Sequence, residues 1–387
     1  MTMRRAIIIG GSLGGLFAAS QLSRIGWSVD VFERSSSELE SRGGGIVQQP
    51  EISTIFRVAG LDPNGPPGVV SKFRVYVSGE GKIVSKAYSP QKQTSWGAMW
   101  SALRSTVPDA NYHLGKRVTG VTDEGHQVTA TFADGTSMSA DMLIGADGGG
   151  STVRDLTFPS AGPDYAGYVA FRGLVAEAMF ASAPEALYET FAFYQEPGSH
   201  ILSYMVADEQ GNVSEGKRRY NWVWYRNANE SRALPQILRD RDGRQGSMGV
   251  APGRLAPAVE LELRSCAAAV LPSPFRELVA TTAEPFVQAI VDLAVPRMVR
   301  GRVILLGDSA SIPRPHTAAS TAKAAGNALA LATELVRVDH DVKNALARWE
   351  PEQLLRGHEL RGMGQSLGDR SQFPNGRTYR SRADVKL

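Results

Sequence analysis

The clearest structural signal in the chain is RAIIIGGSLGGLFAAS, residues 5–20. Residues 5–9 form a continuous apolar run, which is typical of a strand buried on both faces. Glycines interrupt the run, and small residues at helical spacing then follow as far as Gly26. A second strand pattern, WSVDVFER, occupies residues 27–34. Together these patterns predict a βαβ unit, in which a glycine-rich turn binds the phosphates of a dinucleotide.

The glycine turn departs from the G-x-G-x-x-G fingerprint at its second position. Gly10 and Gly15 hold the first and third positions, and Ser12 holds the second. Serine is small, its hydroxyl can donate to a phosphate, and the helix start beyond it supplies free N–H groups and the positive end of a dipole. Glu33, at the end of the second strand, can accept hydrogen bonds from ribose hydroxyls and would repel a 2′-phosphate.

Length and composition are those of an ordinary soluble globular protein. The chain has 387 residues, 42% of them hydrophobic, and its net charge of +3 is too small to indicate nucleic-acid binding. No apolar window is long enough for a membrane span, and the first strand begins too early for a secretory signal. Cys266 is the single cysteine, and the histidine spacing predicts no metal site. We therefore expect a cytoplasmic protein without a nucleic-acid or membrane partner.

Two later motifs place polar residues at strand ends. DMLIGADGGGSTVRD, residues 141–155, brings Asp147 and Gly148 to the end of a strand. GRVILLGDSASIPRPH, residues 301–316, does the same for Gly307 and Asp308, ahead of a loop and a long helix. An aspartate in such a place can hold ribityl or ribose hydroxyls, and the helix start can stabilise negative charge on a reduced flavin.

These three elements, in this order, resemble the single-component FAD-dependent aromatic hydroxylases of the p-hydroxybenzoate hydroxylase fold. The resemblance spans nearly the whole chain. Within that class it is strongest to the hydroxypyridine monooxygenases of the 2,6-dihydroxypyridine 3-hydroxylase type. The serine of GGS, GGIVQQPE at residues 44–51 and GDSASIPRPH at residues 307–316 support this narrower match.

The resemblance implies an α/β fold in which a Rossmann-like FAD-binding domain is interleaved with a mixed β-sheet substrate domain. We expect the FAD-binding domain at residues 1–70, 98–165 and 286–345, the substrate domain at 71–97 and 166–285, and a C-terminal helix and tail at 346–387. The implied reaction uses NADH to reduce FAD, and O2 then gives a flavin C4a-hydroperoxide that hydroxylates an electron-rich ring. The family also suggests a homodimer.

The matching positions give a set of expected FAD contacts, which are Gly10, Ser12, Leu13, Gly14, Gly15, Glu33, Arg34, Gly45, Gln48, Asp147, Gly148, Gly307, Asp308, Pro315, Ala318 and Ala319. The chain departs from the family pattern at two places. Trp96 stands where many members have an arginine, and TAAST at residues 317–321 replaces a glycine-rich turn.

His316 and Tyr204 are the candidate catalytic residues. His316 follows Pro315 at the flavin side and titrates near neutrality in water, although a loop histidine that caps the next helix is an alternative. Tyr204 shares a strand face with His200, and either a substrate hydrogen bond or a place in the sheet core fits it. The expected substrate-binding residues are Gln49, Arg172, His200 and Tyr204.

Several functions remain open from the sequence. A flavin-dependent dehydrogenase or reductase could use the same scaffold without inserting oxygen. The substrate could be a hydroxypyridine or a phenol such as salicylate, and a flavin-bound sensor is a non-enzymatic alternative. Substrate-stimulated NADH oxidation that yields an oxygenated product would separate these possibilities.

Overall fold

The structure is a computed structural model that describes residues 3–39, 44–180 and 184–376. Its strands are β1 (Arg5–Ile9), β2 (Ser28–Phe32), β3 (Gly45–Val47), β4 (Gly68–Val77), β5 (Ile83–Ser95), β6 (Tyr112–His113), β7 (Val118–Asp123), β8 (Val128–Phe132), β9 (Ser137–Ala140), β10 (Met142–Gly145), β11 (Asp164–Ala176), β12 (Thr190–Glu196), β13 (Ser199–Val206), β14 (Arg219–Asn227), β15 (Gly249–Val250), β16 (Phe286–Ala294), β17 (Val299–Arg300), β18 (Val303–Leu305) and β19 (Ser311–Ile312). Its helices are α1 (Leu13–Arg24), α2 (Pro50–Val58), α3 (Trp96–Arg104), α4 (Thr152–Thr157), α5 (Ala233–Ile237), α6 (Pro257–Val270), α7 (Ser273–Thr281), α8 (Ser320–Arg337) and α9 (Val342–Gln372).

The first sheet is built on the predicted βαβ unit. Its strand order is β17-β18-β10-β1-β2-β6, and all neighbours are parallel except β17 and β18. Four of the five residues of β1 are buried, because a single apolar core joins this strand to α1, α8 and the three-stranded meander β7-β8-β9. The apolar run at residues 5–9 therefore forms a central strand, as predicted.

The second sheet is large and mixed, with the order β15-β16-β11-β14-β13-β12-β4-β5-β3. Its neighbours are antiparallel except β12 and β4. One face packs on α6 and α7 in a core that contains Leu263 and Phe275. The opposite face carries Tyr168, Leu202 and Tyr225 and looks toward the loop that precedes α8. The predicted α/β fold, with a Rossmann-like part interleaved with a mixed β-sheet, is confirmed.

The strand pairing differs from the expected domain ranges at two strands. Residues 1–70 and 286–345 were assigned to the FAD-binding domain, yet β3 and β16 lie in the second sheet. β16 pairs with β11 and β15, and β3 pairs with β5. A hydrophobic pattern identifies a strand but not its partner, so the crossover points could not be read from the sequence. Residues 377–387 of the expected C-terminal segment lie outside the described residues.

Arg314 joins the loop before α8 to the second sheet and to the C-terminal helix. Its guanidinium is fully buried, and its Nε and Nη2 donate to Asp292 on β16 at 2.8 and 2.7 Å. Its Nη1 donates to Asp369 on α9 at 2.7 Å. Gln365, also on α9, donates to Asp292 at 3.2 Å. A buried cation with two carboxylate partners therefore fixes three separate parts of the chain together.

Replacing Arg314 by methionine should lower the free energy of unfolding by about 3–5 kcal/mol, because two carboxylates would lose the cation that compensates their burial. Chemical denaturation measures the change. Asp369→Asn serves as the comparison, because it weakens one contact but leaves the buried Arg314–Asp292 pair, and it should cost about 1 kcal/mol. Equal losses in the two variants would contradict this account.

Candidate active site

Two adjoining cavities lie between the first sheet and the second. The nucleotide cavity, about 360 Å³, opens at the carboxyl ends of β1, β2, β10 and β18. The sheet cavity, about 450 Å³, lies between the inner face of the second sheet and residues 312–321. Trp96, Asp308, Ser320 and Thr321 line both cavities, so the two form a continuous cleft. An elongated ligand with a nucleotide end and a ring end fits this arrangement.

Most of the expected cofactor contacts line this cleft. Those in the nucleotide cavity are Gly10, Ser12, Leu13, Gly14, Glu33, Arg34, Asp147, Gly148, Gly307 and Asp308. Those in the sheet cavity are Gly45, Asp308, Pro315, Ala318 and Ala319. Gly15 supports the turn from behind.

The glycine turn brings backbone against backbone. Gly10 has φ +111°, and a Cβ on it would lie 2.4 Å from the carbonyl oxygen of Ala146. A Cβ on Gly15 would lie 1.9 Å from the carbonyl oxygen of Gly10. Ser12 is the N-cap of α1, but its side chain makes no capping hydrogen bond. The hydroxyl therefore remains available to a phosphate in the nucleotide cavity.

Glu33 is buried at the end of β2 and holds the same turn. Its Oε2 accepts a hydrogen bond from the backbone N–H of Gly11 at 2.9 Å, and its Oε1 accepts from that of Ser35 at 2.8 Å. Each carboxylate oxygen has further acceptor capacity. Glu33 can thus accept a ribose hydroxyl while it stabilises the turn.

The GADGGGSTVRD segment is held by its own aspartate and arginine. Asp147 accepts hydrogen bonds from the Ser151 hydroxyl and from the N–H of Val153 at the start of α4. Burial raises the pKa of Asp147. Arg154 is buried and donates to the carbonyl oxygens of Gly149 at 2.8 Å and of Ser309 at 3.2 Å. Arg154 thereby joins the second motif to the third.

The turn that lacks the usual glycines takes a strained conformation at Ala318. This residue has φ +53°, in the left-handed region that costs a non-glycine residue roughly 1–2 kcal/mol. The side-chain amide of Gln49 donates to the Ala318 carbonyl oxygen at 2.6 Å and so helps to hold the turn. Gln49 was expected to bind substrate, but its amide serves this loop instead.

Gln48, an expected cofactor contact, is not part of the cleft. Its side-chain amide donates to the hydroxyl of Ser53 at 3.1 Å and to the carbonyl oxygen of Asn64 at 2.7 Å. Successive residues of extended chain point to opposite sides. The sequence did not reveal which of the two glutamines would face the ring side.

His316 and His200 lie beside the sheet cavity but do not line it. The ring of His316 stacks on His200 with centroids 5.8 Å apart and packs against Tyr225 at 4.2 Å, and its Nε2 is 3.0 Å from the Tyr168 hydroxyl. Both ring nitrogens of His200 are buried without a hydrogen-bond partner in the described part of the chain. Burial lowers the pKa of His316 to about 3 and that of His200 to about 4. The expected catalytic role of His316 and the substrate role of His200 are therefore not supported by the geometry.

Tyr204 and Arg172 do line the sheet cavity, as expected. The Tyr204 hydroxyl donates to the carbonyl oxygen of Gly45 at 2.9 Å, and burial raises its pKa to about 12. Its oxygen can still accept a hydrogen bond, but its proton is already engaged. Arg172 donates from Nη1 to the side-chain oxygen of Gln288 at 3.1 Å.

The comparisons with known proteins agree with this cleft. A family model described as FAD binding domain-like matches residues 165–292. The 2,6-dihydroxypyridine 3-monooxygenase of Paenarthrobacter nicotinovorans is 33% identical over 96% of this chain and 92% of its own. The solved 2,6-dihydroxypyridine-3-hydroxylase from Arthrobacter nicotinovorans is 32% identical with a TM-score of 0.89, over 98% of this chain and 95% of its own. This chain belongs to the FAD-dependent aromatic monooxygenases. The 6-hydroxynicotinate 3-monooxygenase of Pseudomonas fluorescens is 26% identical over 92% of this chain and 89% of its own.

The residues of this monooxygenase fit FAD, its cofactor. The glycine cradle lets a pyrophosphate approach the backbone, and the hydroxyl of Ser12 and the acceptors of Glu33 face the nucleotide cavity. When bound, FAD supplies the redox chemistry that activates O2. Within the described ranges, no helix combines the length and apolar character that a membrane crossing requires.

Two residues of the sheet cavity were not anticipated as site residues. Tyr225 was read with Trp222 and Trp224 as a core or subunit contact. Strand alternation on β14 instead turns Tyr225 to the cavity face and both tryptophans to the opposite core. Gln288 lies on β16, a strand placed in the other domain, so its position beside Arg172 had no signal in the sequence.

Gly15→Ala should prevent FAD binding and lower thermal stability, because the new Cβ would overlap the Gly10 carbonyl oxygen. Gly14→Ala is the matched variant one residue earlier in α1, where the nearest side-chain atom would lie at 3.6 Å, and it should keep wild-type stability. Calorimetry and the flavin content of the purified proteins measure both effects. A stable Gly15→Ala protein with full flavin would contradict the cradle.

The two buried histidines should make stability fall as the pH drops from about 6.5 toward 4. Their pKa values are lowered from 6.5 in the folded state, so the unfolded chain binds more protons in this range and unfolding is favoured as the pH falls. Replacing His200 and His316 by glutamine should reduce the slope of unfolding free energy against pH. His126→Gln, which removes an exposed imidazole, is the control, and an unchanged slope in the double variant would refute the assignment.

Proposed function

We propose that this monooxygenase hydroxylates an electron-rich, hydroxylated N-heteroaromatic ring of the hydroxypyridine type, with NADH as reductant and O2 as oxidant. The observation that carries the proposal is the guanidinium of Arg172 in the sheet cavity. Relatives named as monooxygenases of dihydroxypyridine and hydroxynicotinate support the same class of ring.

Arg172 presents a cation whose charge has no carboxylate partner among the described residues. Its bond to Gln288 is to a neutral amide, and its Nε is buried without a partner. A guanidinium in this state favours an anionic oxygen as ligand, since a charge-assisted hydrogen bond both satisfies the donor and compensates the charge. A ring oxygen that has lost its proton, or a ring carboxylate, meets this requirement. Loss of that proton also makes the ring more nucleophilic.

The remaining walls orient a flat ring and exclude water. The hydroxyl of Tyr225 makes no hydrogen bond to the described residues, and burial raises its pKa, so it stays protonated and can donate to a ring oxygen. The Tyr204 oxygen can accept from a ring N–H or O–H. Phe191, Leu202, Val223 and Ile290 complete an apolar surface around these groups. Exclusion of water protects an oxygenating site from unproductive side reactions.

We further propose a cytoplasmic homodimer. The single cysteine suits a reducing compartment, where NADH is available. The β4–β5 ribbon exposes Val70, Tyr76, Val84 and Tyr88, an apolar surface that a second copy would cover. Light scattering of the purified protein tests the mass.

The decisive experiment is NADH consumption by the FAD-loaded protein with a panel of hydroxypyridines and phenols, under ¹⁸O2, with products identified by mass. The expected result is a hydroxypyridine that gains one labelled oxygen with little peroxide release. Substrate oxidation without label would instead indicate the dehydrogenase or reductase. A labelled product from salicylate or another phenol alone would overturn the heteroaromatic assignment.

Arg172→Met should raise KM for the substrate about tenfold to a hundredfold, in line with loss of a charged hydrogen bond worth about 1.5–3 kcal/mol. Arg226→Met is the matched control. Arg226 lies next to Tyr225 on β14 and pairs with Glu262 on the other side of the sheet. We expect its KM to stay within twofold of wild type. Steady-state kinetics and ligand-induced changes in the flavin spectrum measure both, and an unchanged KM in Arg172→Met would remove the main support for an anionic substrate.

A further inference from the structure

Lys323 is a fully buried lysine directly beneath the cofactor cleft. It lies in the first turn of α8, and only 1% of its surface is exposed. Its ammonium donates to the carbonyl oxygen of Gly307 at 3.0 Å, to the carbonyl oxygen of Ser311, and to Oδ1 of Asp308 at 3.2 Å. One side chain thus holds both ends of the loop 307–311 and the carboxylate between them.

The placement of this cation is unfavourable without an anion in the cleft. Burial lowers the pKa of Lys323, because desolvation penalises the charged form. The N-terminal end of α8 is also the positive end of its dipole, where a cation is disfavoured. Asp308 supplies one negative charge, whereas the ammonium and the helix end together supply about one and a half positive charges. The local balance is positive and suits a further anionic ligand.

Asp308 connects the lysine to the cleft. The Ser320 hydroxyl also donates to its Oδ1, and 43% of its side chain is exposed on the cleft side. Asp308 and Ser320 line both cavities, at the junction of the nucleotide end and the ring end. A charge held beneath this junction acts on both parts of FAD, since electrostatic interactions are weakly screened where water is excluded.

We propose that Lys323 is a positioning residue for the flavin, which anchors the loop 307–311 and makes the cleft bind reduced, anionic FAD more tightly than oxidised FAD. Reduction by NADH or dithionite transfers two electrons, and with the uptake of one proton the ring gains one negative charge. The ammonium of Lys323 stabilises that charge. This inference concerns FAD alone and does not rest on the identity of the aromatic substrate.

Two substitutions separate the anchoring role from the charge. Lys323→Gln keeps N–H donors but removes the charge, and it should lower the preference for reduced over oxidised FAD about tenfold, equivalent to about 30 mV in midpoint potential for a two-electron couple. Lys323→Met removes the donors as well, and it should also weaken binding of oxidised FAD about tenfold. Fluorescence titration gives the affinity, and spectroelectrochemical titration at saturating FAD gives the potential.

Asp308→Asn and Lys343→Gln complete the test. Asp308→Asn leaves the lysine charge uncompensated, so it should raise the potential, opposite in sign to Lys323→Gln. It decides the matter even if the Lys323 variants do not fold. Lys343→Gln removes an exposed charge on α9 and should leave the potential unchanged. An unchanged potential in Lys323→Gln, or a lower one in Asp308→Asn, would overturn the proposal.

Discussion

Close contact between backbones in the glycine turn determines where everything else in the cleft can lie. With no Cβ at Gly10 or Gly15, the turn packs directly on the end of β10 and α1 starts at the edge of the first sheet. The carboxyl ends of β1, β2, β10 and β18 then meet at that edge. The GADG and GD segments follow β10 and β18, so both reach the same cleft although more than 150 residues separate each from one or the other end of the site in sequence (Gly10 to Asp308). The position of the cofactor is therefore a consequence of one local steric requirement.

Buried cations then join the segments that the sheet brings together. Arg154 links the second motif to Ser309, Lys323 holds the loop 307–311, and Arg314 fastens the following loop to β16 and α9. Desolvating such charges is costly, and each is compensated by carbonyl or carboxylate oxygens at fixed positions. The result is a cleft floor that can move little. A rigid floor suits a cofactor whose ring must meet a separate substrate in one orientation.

The sequence predicted the parts of this enzyme that depend on local rules. The glycine turn, Glu33, Asp147 and Asp308 were found from spacing, because strand ends and helix starts fix their positions. Residues whose role depends on side-chain direction were less predictable. Gln48, Gln49, His200 and His316 lie near the expected places but point to loops or to each other. Gln288 required knowledge of strand partners, and Lys323 was detectable only as a lone lysine in a helix of small residues.

The neutral histidines sharpen the division of chemical roles across the sheet cavity. His200 and His316 carry no proton to donate or remove near neutral pH, since burial among aromatic rings and the nearby Arg314 disfavour their charged forms. Tyr204 and Tyr225 keep their protons for the same reason. Among the described side chains that face the substrate end, Arg172 therefore carries the charge. A site of this kind activates a ring by stabilising the anion that the ring itself forms, and the acidity of the substrate becomes part of its specificity.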